Sequence, residues 1–101
     1  MKFLVIRRPI RTGGNPPTSK AIREHKARIL DAMKQGTIES AYAFPGGGGS
    51  CAIANAESAE DLNARIADSP LFLNSEFEIH PLSDYAKYMD DIAAALEKSG
   101  R

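Results

Sequence analysis

His25 is the residue of this sequence best suited to carry a proton, because histidine is the side chain that titrates near neutrality. It lies three residues after Ile22 and four before Ile29, so a helix through this region places it on the apolar face. Catalysis or ligand contact is one interpretation of that position. The other is a half-buried histidine at a helix edge, satisfied by a single hydrogen bond.

Two hydroxyl groups are expected to face this histidine. Residues 37–44 alternate in polarity, and one face of the predicted strand carries Ile38, Ser40, Tyr42 and Phe44. If that face meets the first helix, Ser40 and Tyr42 lie opposite His25. Moving a proton between two carbons needs a base, an acid and a group that stabilises the intervening enolate. We therefore predict His25 as the acid/base, with Tyr42 and Ser40 orienting or polarising a carbonyl. For Tyr42, filling of the core is the alternative.

The other reactive residues have simpler interpretations. Cys51 has no predictable basic partner, so we expect a small buried residue rather than a nucleophile. His80 is expected to be structural or exposed, and Glu76 and Glu78 to form a solvated or subunit-facing strand. The run Gly46–Gly49 lacks the spacing of a phosphate-binding loop and predicts a hairpin or a mobile lid.

An alternation of strands and helices must position these residues. Thr18 or Ser19 can cap the first helix and Gly36 can end it, while Ser58 with Asp61 starts the second. The predicted elements are strand Phe3–Ile6, a loop including residues 12–17, helix Lys20–Gln35, strand Thr37–Phe44, strand Cys51–Asn55, a helix from Ser58 to before Pro70, strand Glu76–His80 and helix Ser83–Lys98.

This order predicts an α+β fold of the ferredoxin-like β-α-β-β-α-β type with an added C-terminal helix. Its antiparallel four-stranded sheet has both crossover helices on one face. Apolar residues point to both faces of the strands, so one layer of helices cannot cover them all. Sheet-to-sheet dimerisation is the expected solution. The stripe of Tyr85, Tyr88 and Met89 on the last helix could line a ligand site, but it is more typical of docking onto its own subunit or a neighbour's.

Composition excludes several classes of protein. The 101 residues fit a single domain spanning residues 1–101, and 43% hydrophobic with 26% charged residues is unlike a disordered chain, a coiled coil or collagen. The apolar run Phe3–Ile6 near the start is too short for a membrane span or a secretory signal, so a cytoplasmic location is expected. One cysteine excludes an internal disulfide, and two distant histidines spell out no metal cluster.

The charges are unevenly distributed along the chain. Residues 1–37 carry nine Lys/Arg and two acidic residues, a net charge of +7, whereas residues 38–101 carry four and eleven, a net charge of −7. A basic front half could contact nucleic acid. No aromatic residues are interleaved with the basic ones, so we favour a basic helix that lies beside acidic segments of the same fold or of a partner subunit.

A set of residues between positions 36 and 82 carries a resemblance to a known family. They are Gly36-Thr37, Gly46, Ser58, Leu62, Pro70-Leu71-Phe72, Glu78 and Leu82. In this register the chain resembles the muconolactone Δ-isomerase family. The resemblance implies a dimeric α+β barrel, in which two sheets face each other and each protomer keeps a pocket between its sheet and helices.

The resemblance also implies an activity. Isomerases of this family move a proton between two carbons of a small unsaturated lactone, with no metal or organic cofactor, in the breakdown of aromatic compounds. We therefore predict a cofactor-independent isomerase that acts on a small-molecule substrate as a homodimer or higher homo-oligomer, with no nucleic-acid or membrane partner. The alternatives are a cofactor-independent monooxygenase of the same superfamily and a non-catalytic ligand-binding or assembly protein.

Overall fold

A computed structural model of the protein describes residues 1–10 and 16–101. Most of the loop predicted before the first helix, residues 12–15, lies outside these ranges. The elements are β1 (Lys2–Pro9), α1 (Ser19–Gln35), β2 (Ile38–Ala43), β3 (Ser50–Asn55), α2 (Ala59–Ala67), a short 3-10 helix (Phe72–Asn74), β4 (Ser75–Leu82) and α3 (Tyr85–Lys98).

The four strands form one antiparallel sheet in the order β2-β3-β1-β4. This is the predicted ferredoxin-like arrangement, with β1 and β3 in the centre and α1 and α2 as the two crossover connections. The prediction of an α+β fold with an added C-terminal helix is therefore confirmed. Within the described ranges, no helix combines the length and the hydropathy needed to cross a bilayer.

The helix ends follow the local sequence signals. Thr18 Oγ1 accepts a hydrogen bond from the backbone N–H of Ala21 at 3.1 Å, and Ser58 Oγ accepts one from that of Asp61 at 3.1 Å. Gly36 ends α1 with a φ of 82°, a left-handed conformation that glycine adopts without a steric penalty. These three predicted caps are confirmed.

The core lies between the sheet and α2. Its buried members are Phe3 from β1, Ala54 from β3, Ala56 and Leu62, and it is flanked by Val5, Ile38, Ile66 and Ile79. Leu71, which follows α2, is only 1% exposed. Because Phe3 and Val5 belong to this core, the odd-numbered residues of β1 face the helices and the even-numbered ones face away.

A β-bulge in β2 moves the side chains that follow it to the opposite face of the sheet. Ile38 pairs with Ala54 of the core, but the next pair is Ser40 with Ile53, which points to the opposite face of β3. Residues directly opposed in a sheet share a face, so Ser40 and Tyr42 lie on the face without helices. The prediction that Ile38, Ser40 and Tyr42 share one face is wrong, because the bulge adds one residue to the alternation.

The open face of the sheet is apolar in its centre and charged towards β4. Leu4, Ile6 and Ile53 are partly exposed there. Arg8 Nη1 donates to Glu78 Oε1 at 3.0 Å. Thus Arg8 pairs with the acidic strand of its own protomer.

The C-terminal helix α3 projects from this body. No residue of α3 is buried, and none of the other elements packs extensively against it. The molecule measures 58 × 32 × 25 Å with a radius of gyration of 17.2 Å, whereas a compact chain of this length has about 13 Å. The sequence predicts that the apolar stripe of α3 docks onto its own subunit or a neighbour's. It does not dock onto its own subunit.

Candidate functional site

A cavity of about 180 Å³ lies between the sheet and the helices α1 and α2. Its wall is mainly aliphatic and aromatic, with Val5, Ile29, Ile38, Ile66 and Phe77 among the lining residues. An apolar cavity of about 150 Å³ is large enough to bind benzene. The volume therefore suits a single five- or six-membered ring with a few substituents.

His25 contributes a polar group to this wall. It is half-buried, and its Nδ1 lies 3.2 Å from Ser69 Oγ. Ser69 Oγ also accepts the backbone N–H of Leu71 at 3.2 Å, so the hydroxyl is fixed by the turn that follows α2. In the tautomer with its proton on Nδ1, the imidazole donates to Ser69 and keeps the lone pair of Nε2 as a base.

The surroundings of His25 favour its neutral form. Burial is the largest cause that lowers its pKa below the ordinary value of 6.5, and the positive charges of Arg7 and Arg28 lower it further. Both causes act against the imidazolium cation. At neutral pH this imidazole is therefore a base.

Arg7 is a second polar residue of the wall, and it lies on the helix-facing side of β1. Its Nε donates to Ser75 Oγ at 2.7 Å, and Ser75 is itself 8% exposed. Burial lowers the pKa of the guanidinium, which nevertheless stays charged. Within the described residues no carboxylate pairs with Arg7, so its charge is available to a ligand.

Arg28 closes one side of the cavity between α1 and α2. Its guanidinium donates to the backbone carbonyl and, at 3.4 Å, to the carboxylate of Asp68 at the end of α2. Together with Thr37 and Arg65 it also lines an open groove on the outer surface. These residues separate the cavity from the groove.

The predicted convergence of three side chains does not occur within this protomer. His25 lines the cavity, but Ser40 and Tyr42 face the open side of the sheet, and Tyr42 is 69% exposed. Cys51 borders the cavity, but its pairing with Ile6 and Tyr42 places its free, half-buried thiol on the open face of the sheet. His80 is exposed and hydrogen-bonded to Glu78, in line with the structural or exposed role that the sequence predicted.

The sequence reasoning missed Arg7 and Ser69. The sequence predicts a first strand that ends at Ile6, before two arginines and a proline, whereas β1 continues to Pro9. The alternation of Phe3, Val5 and Arg7 was the available signal, since it extends the helix-facing side by one more position. Ser69 carries no such signal, because its contact with His25 joins residues 44 positions apart.

We expect the folded-state pKa of His25 to lie below 6.5. Between that pKa and 6.5 the folded protein binds fewer protons at this site than the unfolded chain, so the free energy of unfolding decreases as the pH falls through this window. A proton NMR titration of the ring Cε1–H gives the midpoint directly, and His80→Gln leaves a single histidine to assign. A midpoint at or above 6.5 would contradict the desolvated site.

Comparisons with known proteins agree with this fold. The sequence matches the family model of muconolactone delta-isomerase over residues 9–88. The structure of muconolactone isomerase is similar with a TM-score of 0.68 and 17% identity, covering 84% of this chain and 91% of that chain. No curated protein sequence matches the chain significantly.

A second similar structure is 5-chloro-2-hydroxyhydroquinone dehydrochlorinase from Burkholderia phenoliruptrix in complex with 2,5-dihydroxybenzoquinone. Its TM-score is 0.62 with 16% identity, covering 86% of this chain and 98% of that chain. At such identities the two structures show the fold, which is the α+β arrangement of the dimeric α+β barrel.

Proposed function

This chain belongs to the muconolactone delta-isomerase family, and from that premise we propose that it is a cofactor-independent isomerase. Its substrate is a small unsaturated lactone or a related oxygenated ring compound, in which the enzyme moves one proton from carbon to carbon. The observation that carries the proposal is a half-buried histidine, held in its neutral form, in a ring-sized cavity. The same cavity holds an arginine that no carboxylate among the described residues pairs with.

The proposed reaction uses two groups of the cavity. His25 Nε2 removes a proton from a carbon adjacent to the unsaturated carbonyl system, and the electron pair of that C–H bond moves into the conjugated system as an enolate. The imidazolium exchanges this proton with solvent and then delivers a proton to a different carbon. No atom is gained or lost, and no oxidant is consumed. Ser69 holds the ring of His25 through Nδ1 and is a positioning residue.

Arg7 stabilises negative charge in this scheme. A guanidinium donates charge-assisted hydrogen bonds, which are about twice as strong as neutral ones, and a mainly apolar wall strengthens them further. Ser75 fixes the Nε side of the group, so its terminal nitrogens are left for the enolate oxygen or another anionic substituent of the ring. The ligand of the dehydrochlorinase, an oxygenated six-membered ring, supports this class of compound.

Ser40 and Tyr42 take no part in the proposed step, since they lie on the other face of the sheet. We propose instead that this face, with its partly exposed Leu4, Ile6 and Ile53, packs against a second copy of the same single domain, residues 1–101. Burial of such a surface contributes roughly 25 cal/mol for each Å² of apolar area, from which the entropic cost of joining two chains is subtracted.

The function is tested by incubating unsaturated lactones and oxygenated ring compounds with the protein in heavy water. Isomerisation accompanied by deuterium at the new C–H position is the expected result. Oxygen uptake with a phenol and no exchange would point to the monooxygenase, and binding without exchange to a ligand-binding protein; both outcomes would overturn the proposal.

We expect Arg7→Gln to weaken the binding of anionic ring compounds by roughly tenfold to a hundredfold, the usual effect of losing one hydrogen bond to a charged group. Isothermal titration with 2,5-dihydroxybenzoquinone as the probe measures the Kd. The matched control is Arg8→Gln, which removes an equal charge from the other face of β1. Equal effects of the two substitutions would show that net charge, and not the cavity, determines binding.

A further inference from the structure

The helix α3 presents an apolar stripe with no cover. Five large side chains are 37–75% exposed along it: Tyr85, Tyr88, Met89, Ile92 and Leu96. They recur at intervals of three and four residues and so form one continuous face. A 14-residue helix with such a face is marginal in water unless the face packs against something.

The helix α1 carries a second exposed apolar stripe, on the flank that is turned away from the cavity. Its members are Ile22, Leu30 and Met33, which are 38–48% exposed. Ile22, Lys26, Leu30 and Lys34 lie on one i, i+4 row. This stripe is therefore interleaved with basic side chains.

One flank of each stripe carries charge, and these two flanks have opposite signs. Asp90 and Glu97 lie together beside the stripe of α3, seven residues apart, whereas Arg23, Lys26 and Lys34 lie along that of α1. None of these five side chains has a hydrogen bond or an ion pair within the described ranges. The two surfaces are similar in hydropathy and complementary in charge.

The start of α3 is fixed relative to the sheet. Only Ser83 and Asp84 separate it from β4, and Asp84 caps the helix by accepting the backbone N–H of Lys87 at 2.9 Å. From that point the helix runs away from the body and leaves α1 of its own chain uncovered. The complementary surfaces are therefore placed to meet between chains.

We propose that α3 of one copy packs along the Ile22–Leu30–Met33 flank of α1 in a second copy. In a two-fold assembly the exchange is reciprocal, so each pair of chains gains two such helix contacts. Acidic residues of α3 then face the basic residues of α1, and the opposite net charges of the two parts of the sequence have a structural reason. This contact is independent of the proposed catalytic activity.

Crosslinking between differently tagged chains tests the contact. One chain carries Leu30→Cys and the other Ile92→Cys, both in a Cys51→Ser background whose fold is checked by circular dichroism. A short bismaleimide is expected to join the two tags. The matched control is Ala94→Cys, which lies on the polar side of α3 and is expected to give at least about tenfold less product.

Charge reversal gives a second readout. Lys26→Glu with Lys34→Glu in one chain, or Asp90→Lys with Glu97→Lys in the other, is expected to lower the crosslinking yield. Combining the two reversed chains is expected to restore it, since the coupling of close charge pairs at interfaces is typically tenfold or more. Crosslinks confined to single chains, equal yields from Ile92 and Ala94, or no rescue by the reversed pair would each overturn the proposal.

Discussion

Replacing His25 by Gln is expected to lower the rate of solvent deuterium exchange into the substrate by about 10²- to 10⁴-fold, the range that positioned acid–base groups contribute. Glutamine keeps a polar side chain of similar size in the cavity wall but cannot accept and return a proton. The turn after α2 does not need the imidazole, since the hydroxyl of Ser69 keeps its hydrogen bond from the backbone of Leu71. Rates are measured by NMR under saturating substrate.

His80→Gln is the control for this substitution. It removes the other histidine of the chain, which is exposed on the open face of the sheet and bonded to Glu78. We expect it to leave the exchange rate unchanged. A rate in the His25→Gln protein within threefold of the unsubstituted protein would exclude the imidazole from the reaction and leave the cavity as a binding site.

Gly49→Ala is expected to lower the stability by about 3 kcal/mol, because two sources of strain coincide at this position. Gly49 has a φ of 108°, a backbone angle that L-residues with a side chain rarely adopt. An added Cβ would also overlap the carbonyl oxygen of Arg7 and lie 2.9 Å from its carbonyl carbon. Thermal unfolding followed by circular dichroism should show a Tm more than about 10 °C lower.

Gly48→Ala is the matched control in the same hairpin. A Cβ at that position would have Phe44 Cβ as its nearest neighbour at 3.8 Å, an ordinary van der Waals contact. Its Tm is expected to change by only a few degrees. Equal Tm values for the two variants would contradict the close approach of Gly49 to the backbone of Arg7.

The fold was predictable because its signals are local. Thr18, Gly36 and Ser58 mark helix ends through hydrogen bonds and a backbone conformation that involve only neighbouring residues. The alternation of strands and helices then allows few sheet orders. Signals of this kind depend on neighbouring residues, so helix ends can be predicted from the sequence alone.

The site was predictable only in part, since its assembly depends on distant residues. The position of His25 in the cavity wall could be predicted because the face of a helix is a local property. The residues near Ile38 and Ser40 carry no sequence signal for the bulge between them. The contact of Arg7 with Ser75 joins residues 68 positions apart. A one-residue shift in a strand moves every later side chain to the other face, and this shift separates Tyr42 from His25.

The boundary between the cavity and the outer groove sets the way in which ligands exchange. Arg28 forms part of that boundary, and its ion pair with Asp68 is open to solvent, with side chains 44% and 82% exposed. Ion pairs of this kind contribute about 0–1 kcal/mol, and exposed side chains rotate within nanoseconds. We expect rotation of the Arg28 guanidinium to widen this boundary. On the proposed function, this rotation would let a ring compound pass without a movement of the helices or the sheet.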